Sequence, residues 1–207
     1  MCFSASTSFT AVACLSLIGV AIFKRGVAKP FWPLALIPFV FAIQQLSEGI
    51  SWYTHLNSLM AKNTFLFIAF CFWPVWIPYA FLNAETDLRR KIVDYVSLGL
   101  GIAVALFLLT IIPLTELSSC SFAIHYEANL FIEPLTQYAL GLIYMGAVLI
   151  PFFVSRYKGF PLIGVLLFLT SLSFFYIDQV WFISLWCFLA ALISVSFIFV
   201  IPKKGEN

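Results

Sequence analysis

An all-α bundle of seven membrane-spanning helices is the fold this sequence predicts, on three observations: its composition, the length of its apolar segments, and the side on which its basic residues fall. Hydrophobic residues make up 63% of the chain and charged residues 10%, with a mean hydropathy of +1.05. Soluble domains run at roughly 45–50% apolar and about 25% charged, so no soluble core can absorb these side chains. Crossing a hydrocarbon layer of ~30 Å takes about 20 mostly apolar residues in a helix. Seven segments meet that length, at 6–23, 31–54, 63–83, 92–114, 134–154, 159–177 and 179–201, each bounded by charges, prolines or polar turns. Of the 11 Lys and Arg, only Lys62 falls outside the alternate connecting segments that hold Lys24, Arg25, Lys29, Arg89, Arg90, Lys91, Arg156, Lys158, Lys203 and Lys204. Basic residues mark the cytoplasmic side, so the N-terminus is expected outside and the C-terminus in the cytoplasm.

The first segment has no basic residue ahead of it; Lys24 and Arg25 follow it. That order argues against a cleaved signal peptide, and the apolar run lies after Cys14, which argues against a lipoprotein cleavage site. The second segment places Phe41, Gln44, Gln45, Glu48, Ser51, Trp52 and His55 at three- and four-residue spacing, forming one polar-aromatic stripe. An ionisable side chain in hydrocarbon costs about 2.5–3.5 kcal/mol on insertion scales, so Glu48 needs either a polar partner or a use. It can carry a proton or meet a cationic ligand; the plainer alternative is structural glue with Gln44 or Gln45.

In the third segment Pro74 and Pro78 remove two backbone donors, which leaves the carbonyls of Phe70 and Pro74 without helical partners. A kink is expected there, and freed carbonyls beside Trp73 and Trp76 can line a ligand or cation site, as in the broken helices of transporters. Proline is also frequent in membrane helices for packing alone, and that structural reading is favoured. The fourth segment opens with Asp94, which complements the helix dipole and can pair with Lys91 three residues earlier. Ser97, Gly101 and Ala105 then form a small-residue seam for close helix packing. The outer stretch 115–133 carries Glu116, Glu127 and Glu133 but no Lys or Arg. Gln137 and Tyr138 begin the fifth segment and Tyr176 nearly ends the sixth. The seventh carries Trp181, Trp186 and Cys187 with a second seam of Ser184, Cys187, Ala191 and Ser194. Only Asp178 and Gln179 separate the last two, so a single re-entrant hairpin is the alternative there. No Ser/Gly/Pro-rich linker interrupts the chain, and 1–207 reads as one transmembrane domain.

These residues converge on one functional reading. Gln44, Gln45, Glu48, Trp52, Trp73, Trp76, Tyr138, Tyr176, Trp186, Cys187 and Cys2 are expected to line an outward-facing, aromatic cavity with Glu48 as its charged floor. Its ligand would be a small molecule or a cation; the other partner is the lipid bilayer. Basic residues confined to short loops do not make a nucleic-acid footprint. His55 and His125, with Cys120, Glu127, Glu133 and Asp178, show none of the HxxxH, HExxH or CxxC spacings of a metal site. No cofactor is specified, and no nucleophile with an orienting partner stands out. A transporter, channel or sensor module is favoured. The competing classes are a membrane enzyme acting on a lipid or quinone, with Glu48 as acid/base and Cys2 or Cys187 as thiol, and a non-catalytic subunit whose stripe meets a partner helix.

The opening Met1-Cys2-Phe3-Ser4-Ala5-Ser6-Thr7-Ser8-Phe9, the run from Gln44 to Trp52, Trp73-Pro74-Val75-Trp76-Ile77-Pro78, and the run from Leu185 to Ser194 together resemble a bacterial family of small multi-span membrane proteins of unknown function. The resemblance covers almost the whole chain and implies no activity. It singles out Cys2, Glu48, Trp52, Trp186 and Cys187 for testing together. Retinal proteins need a lysine inside the last helix, and ceramidase-like hydrolases need three histidines where this chain has two, so neither class fits. Spans one to three and five to seven share an orientation around an inverting fourth, as in sugar-transporter-like folds, but no repeat is visible.

Overall fold

The computed structural model describes residues 4–120, 123–128, 133–172 and 179–205. Among them run seven helical rods, five of which are long and apolar enough to cross a membrane. The first is α1, Ala5–Lys24, begun by Ser4, whose hydroxyl accepts the Thr7 amide. The second begins as a single 3₁₀ turn, continues through α2, Trp32–Ala35, steps at Leu36, and becomes α3, Ile37–Tyr53. The step has a covalent cause, because Pro38 has no N–H to return to the preceding turn.

The third rod is α4, Leu59–Phe67, a π-helical turn over Ile68–Phe72, and α5, Trp73–Ala84. The wide turn falls immediately before Pro74, with the Trp73 amide reaching back five residues to the Ile68 carbonyl. The fourth is α6, Leu88–Leu109, capped by Asp87 through the Arg90 amide. The fifth is α7, Pro134–Val154, with proline at its first position, where a missing N–H costs nothing. The last two rods are α8, Gly159–Ser171, and α9, Gln179–Ser194, followed by the short α10, Phe197–Val200; the rest of the expected stretch 159–177 lies mostly outside the described residues.

Helices α1 and α3 lie antiparallel, the ring of Phe39 filling the space over Gly19 and that of Phe9 the space over Gly49. The small-residue seams pack as their spacing suggests. Ser97, Gly101 and Ala105 are buried on α6, and Cys187, Ala191 and Ser194 on α9. Gly101 meets the backbone carbonyl of Pro74, leaving no room for a Cβ. Of the two readings of these prolines, helix packing is the one this contact supports for the carbonyl freed by Pro78. Loss of the N–H at position 78 lets α6 press against the bare oxygen, a close approach that only glycine permits.

The outer stretch folds into a hairpin, β1, Thr115–Cys120, antiparallel to β2, Ala123–Ala128, with Glu116 opposite Glu127 and Leu117 opposite Tyr126. Ile124 and Tyr126 are buried, Tyr126 stacking on Phe65 of α4 at 4.7 Å, and Lys62 donates to the Thr115 carbonyl at 2.8 Å. The opposite, basic end is tied by a bridge between Val27 and Lys203 and by the Lys204 amide donating to the Gly26 carbonyl at 2.8 Å. The predicted Asp94–Lys91 pair is not formed. Asp94 is buried on the face of α6 that packs against α5, and the acid that caps the helix is Asp87.

Candidate functional site

The stripe on α3 turns inward over its whole polar length. Gln44, Gln45, Glu48 and Ser51 are completely buried and Phe41 nearly so. A carboxyl and two carboxamides at zero exposure, on one rod of an apolar bundle, are the most costly burial in the chain and define the site. The stripe stops at Trp52. The chain leaves the helix at Thr54, and His55 adopts φ of 49° on the exposed side, so the histidine drops out of the set.

Two of the hydroxyls are spent within the helix. Ser47 donates to the Ile43 carbonyl and Ser51 to the Ser47 carbonyl, each at 3.0 Å. Gln44 is held from outside: the Trp73 indole N–H donates to its Oε1 at 3.0 Å, while the Trp73 ring stacks on Phe41 at 4.2 Å and meets Phe72 edge-on. That leaves the Gln44 Nε2 without a conventional partner. The soft Cys187 thiol lies beside the Gln44 side chain and within electrostatic reach of Glu48, which makes α9 the opposite wall. Trp52 is half-buried, and its indole N–H also has no acceptor.

A residue that residue-type reasoning passed over completes this wall. Tyr144 of α7 donates to the Ala69 carbonyl at 2.6 Å, sealing an oxygen of the π turn, and sets its ring edge-on to Trp186. Its hydroxyl is within electrostatic reach of both Cys71 and Cys187. The Cys71 thiol meets the Ala105 carbonyl at 3.5 Å. On the side of the Trp73–Phe41 stack nearer the basic end lies a cavity of about 30 Å³, bounded by Ile37, Phe41, Trp73, Phe152, Trp186 and Phe197 among others. One water needs about 10–15 Å³ measured this way and two or more polar partners. Ser194 also lines it, but its hydroxyl already donates to the Ala191 carbonyl, so the hollow is apolar and does not include Glu48.

Of the residues expected to share one cavity, contacts join Gln44, Glu48, Trp73 and Cys187 across α3, α5 and α9. Trp186 lines the apolar hollow beside Trp73, and Gln45 and Trp52 lie on α3. Trp76 lies elsewhere. Its indole donates to the Pro33 carbonyl at 3.0 Å, because three further residues along a rod running inward carry it a turn closer to the basic end. Tyr138 is exposed near the start of α7. Cys2 and Tyr176 lie outside the described residues, as does Asp178. Among the described residues no three His, Cys, Asp or Glu side chains gather closely enough to hold a metal ion.

Fold and site together define a helical protein of membrane type with a buried polar cluster at mid-bundle. The chain belongs to a family of unknown function (DUF6629), whose model matches residues 1–206. No curated protein and no solved structure matches it.

Proposed function

We propose that the protein crosses the membrane seven times, with its N-terminus outside and its basic end in the cytoplasm, and that the cluster around Glu48 binds a small molecule or cation for transport or sensing. One observation carries this reading: Glu48, Gln44 and Gln45 are buried without exposure on a single membrane-length rod. Apolar residues of the same shape would pack there at no desolvation cost, so the polar set needs a use. Glu48 offers negative charge, while the Trp52 Nε1 is a donor with no acceptor and the Gln44 Nε2 has only the Cys187 thiol beside it. A ligand pairing a cationic group with a hydrogen-bond acceptor would meet both kinds of group.

The arrangement is closed. Trp73 and Cys187 wall the cluster, and β2 packs against α9 at the hairpin end. A ligand arriving from that end requires the hairpin or α9 to move. Glu48→Gln preserves shape and hydrogen bonding while removing the charge. Purified variant and wild type would be compared by thermal shift against a panel of inorganic and quaternary ammonium cations. The expected result is equal stability without ligand and loss of every cation-induced shift in the variant. Identical shifts in both proteins would leave Glu48 as packing and move the reading to a structural subunit.

A further inference from the structure

A second buried acid lies at the basic end, and nothing in the site described above uses it. Asp94 is 3% exposed on the face of α6 turned to α5, and its Oδ1 meets no donor. The titratable group facing it is another acid, Glu85, the 4% exposed residue that ends α5. Glu85 Oε1 accepts the amides of Thr86 at 2.8 Å and Asp87 at 3.0 Å and lies 4.0 Å from Arg156 Nε.

The arginines nearby are committed elsewhere. Arg156 donates to the Thr86 hydroxyl at 2.8 Å and to the Tyr157 hydroxyl at 3.1 Å, and Arg90 donates to the Val154 carbonyl at 2.9 Å. Lys91, one turn before Asp94, makes no ion pair among the described residues. The titratable groups of α7 are Tyr138 and Tyr144, at least ten residues before its end. Two buried carboxyls therefore share one partly exposed arginine, and it sits on the Glu85 side. In a low-dielectric setting such a pair is balanced only by a further positive charge.

We propose that Asp94 and Glu85 form a cation site at the basic end, independent of Glu48, that takes one positive charge from the side of the basic loops: a proton or a small monovalent metal ion. Asp94 supplies the open oxygen; Glu85, fixed by two amides and Arg156, supplies the facing negative charge. Asp94 lies less than two turns of α6 from the helix start at Leu88, and about two turns from the Gly101–Pro74 contact, which puts the site close to the loops at the basic end.

Infrared difference spectra of the full-length protein test this, recorded across acid-to-alkaline pH and with sodium against choline chloride, in the wild type and in Glu48→Gln to remove the other buried carboxyl. A protonated-carboxyl band that titrates and is lost in Asp94→Asn identifies the proton; a carboxylate band that shifts with sodium and is lost in Asp94→Asn identifies the metal ion. Glu85→Gln, which removes the facing charge, should move the same transition to lower pH or to higher sodium, and it keeps the test alive if Asp94→Asn does not fold. Carboxyl bands that ignore both pH and sodium, or that survive Asp94→Asn unchanged, overturn the proposal.

Discussion

The indole of Trp73 and the carboxamide of Gln44 are joined by a 3.0 Å hydrogen bond between α5 and α3, two rods whose approach is otherwise apolar. Trp73→Phe keeps the ring against Phe41 but removes the donor. A buried acceptor left unpaired costs about 1–3 kcal/mol. The variant should therefore lose thermal stability in detergent, and Gln44→Leu added to it should recover part of the loss, because the orphaned oxygen is then gone. A double variant no more stable than Trp73→Phe would show that ring packing, and not the hydrogen bond, carries the contact.

The contact between Gly101 and the Pro74 carbonyl supplies a second test with its own control. A Cβ at position 101 meets backbone oxygen, which cannot turn aside, whereas one at Gly99 on the same helix meets nothing within 4 Å. Overpacking of this kind costs about 1–3 kcal/mol, while replacing a helical glycine by alanine in open space gains up to about 1 kcal/mol. Gly101→Ala should thus lower the unfolding midpoint and Gly99→Ala should leave it unchanged or raise it. Equal effects at the two positions would mean that α5 and α6 do not pack as described.

Thiol reactivity separates the buried from the lipid-facing cysteines. Cys71 and Cys187 are 8% and 2% exposed, while Cys14 lies on an open face of α1. A membrane-permeant maleimide should modify Cys14 in native membranes, and reach Cys71 and Cys187 only after denaturation. Fast modification of Cys187 in the native protein would reveal a wide aqueous path to Gln44 and Glu48.

Much of this was legible because helical periodicity is a local property. The spacing of Gln44, Gln45, Glu48 and Ser51 puts them on one face, and the seam of Ser97, Gly101 and Ala105 states where α6 is approached closely. Depth counting without rotation misplaced Trp76, since residue number gives height along the rod but not which neighbour the indole meets. Tyr144 gave no local signal, being a hydroxyl in the apolar middle of α7 whose acceptor, the Ala69 carbonyl, exists only because the π turn on another rod exposes it. The hairpin did carry a signal. Leu117, Ile124 and Tyr126 alternate with Glu116, Ser118, His125 and Glu127, the two-residue period of a half-buried strand, but no Asn-Gly or Asp-Gly pair marks its turn. Why Asp94 is buried is likewise a tertiary fact, set by the end of α5 lying across from it.

Orientation rests on the basic residues, and the structure ties their four groups together in two pairs: the Val27–Lys203 bridge joins the first basic segment to the last, and Arg156 of the third reaches Thr86 beside the second. Lys62, the exception, lies at the opposite end, bonded to the hairpin through Thr115. The proposed orientation, with the basic end in the cytoplasm, follows from the positive-inside rule. Single cysteines introduced at Gly26, Leu88, Tyr157 and Gly205 in a background without native cysteines should be protected from an impermeant maleimide in intact cells, whereas those at Ser58 and Phe122 should react. Leu88 is the decisive position, since it starts α6 between Asp87 and the cluster of Arg89, Arg90 and Lys91. Labelling there from outside would reverse the topology, turn the hairpin into the cytoplasmic face, and place the Asp94–Glu85 pair on the external side of the membrane.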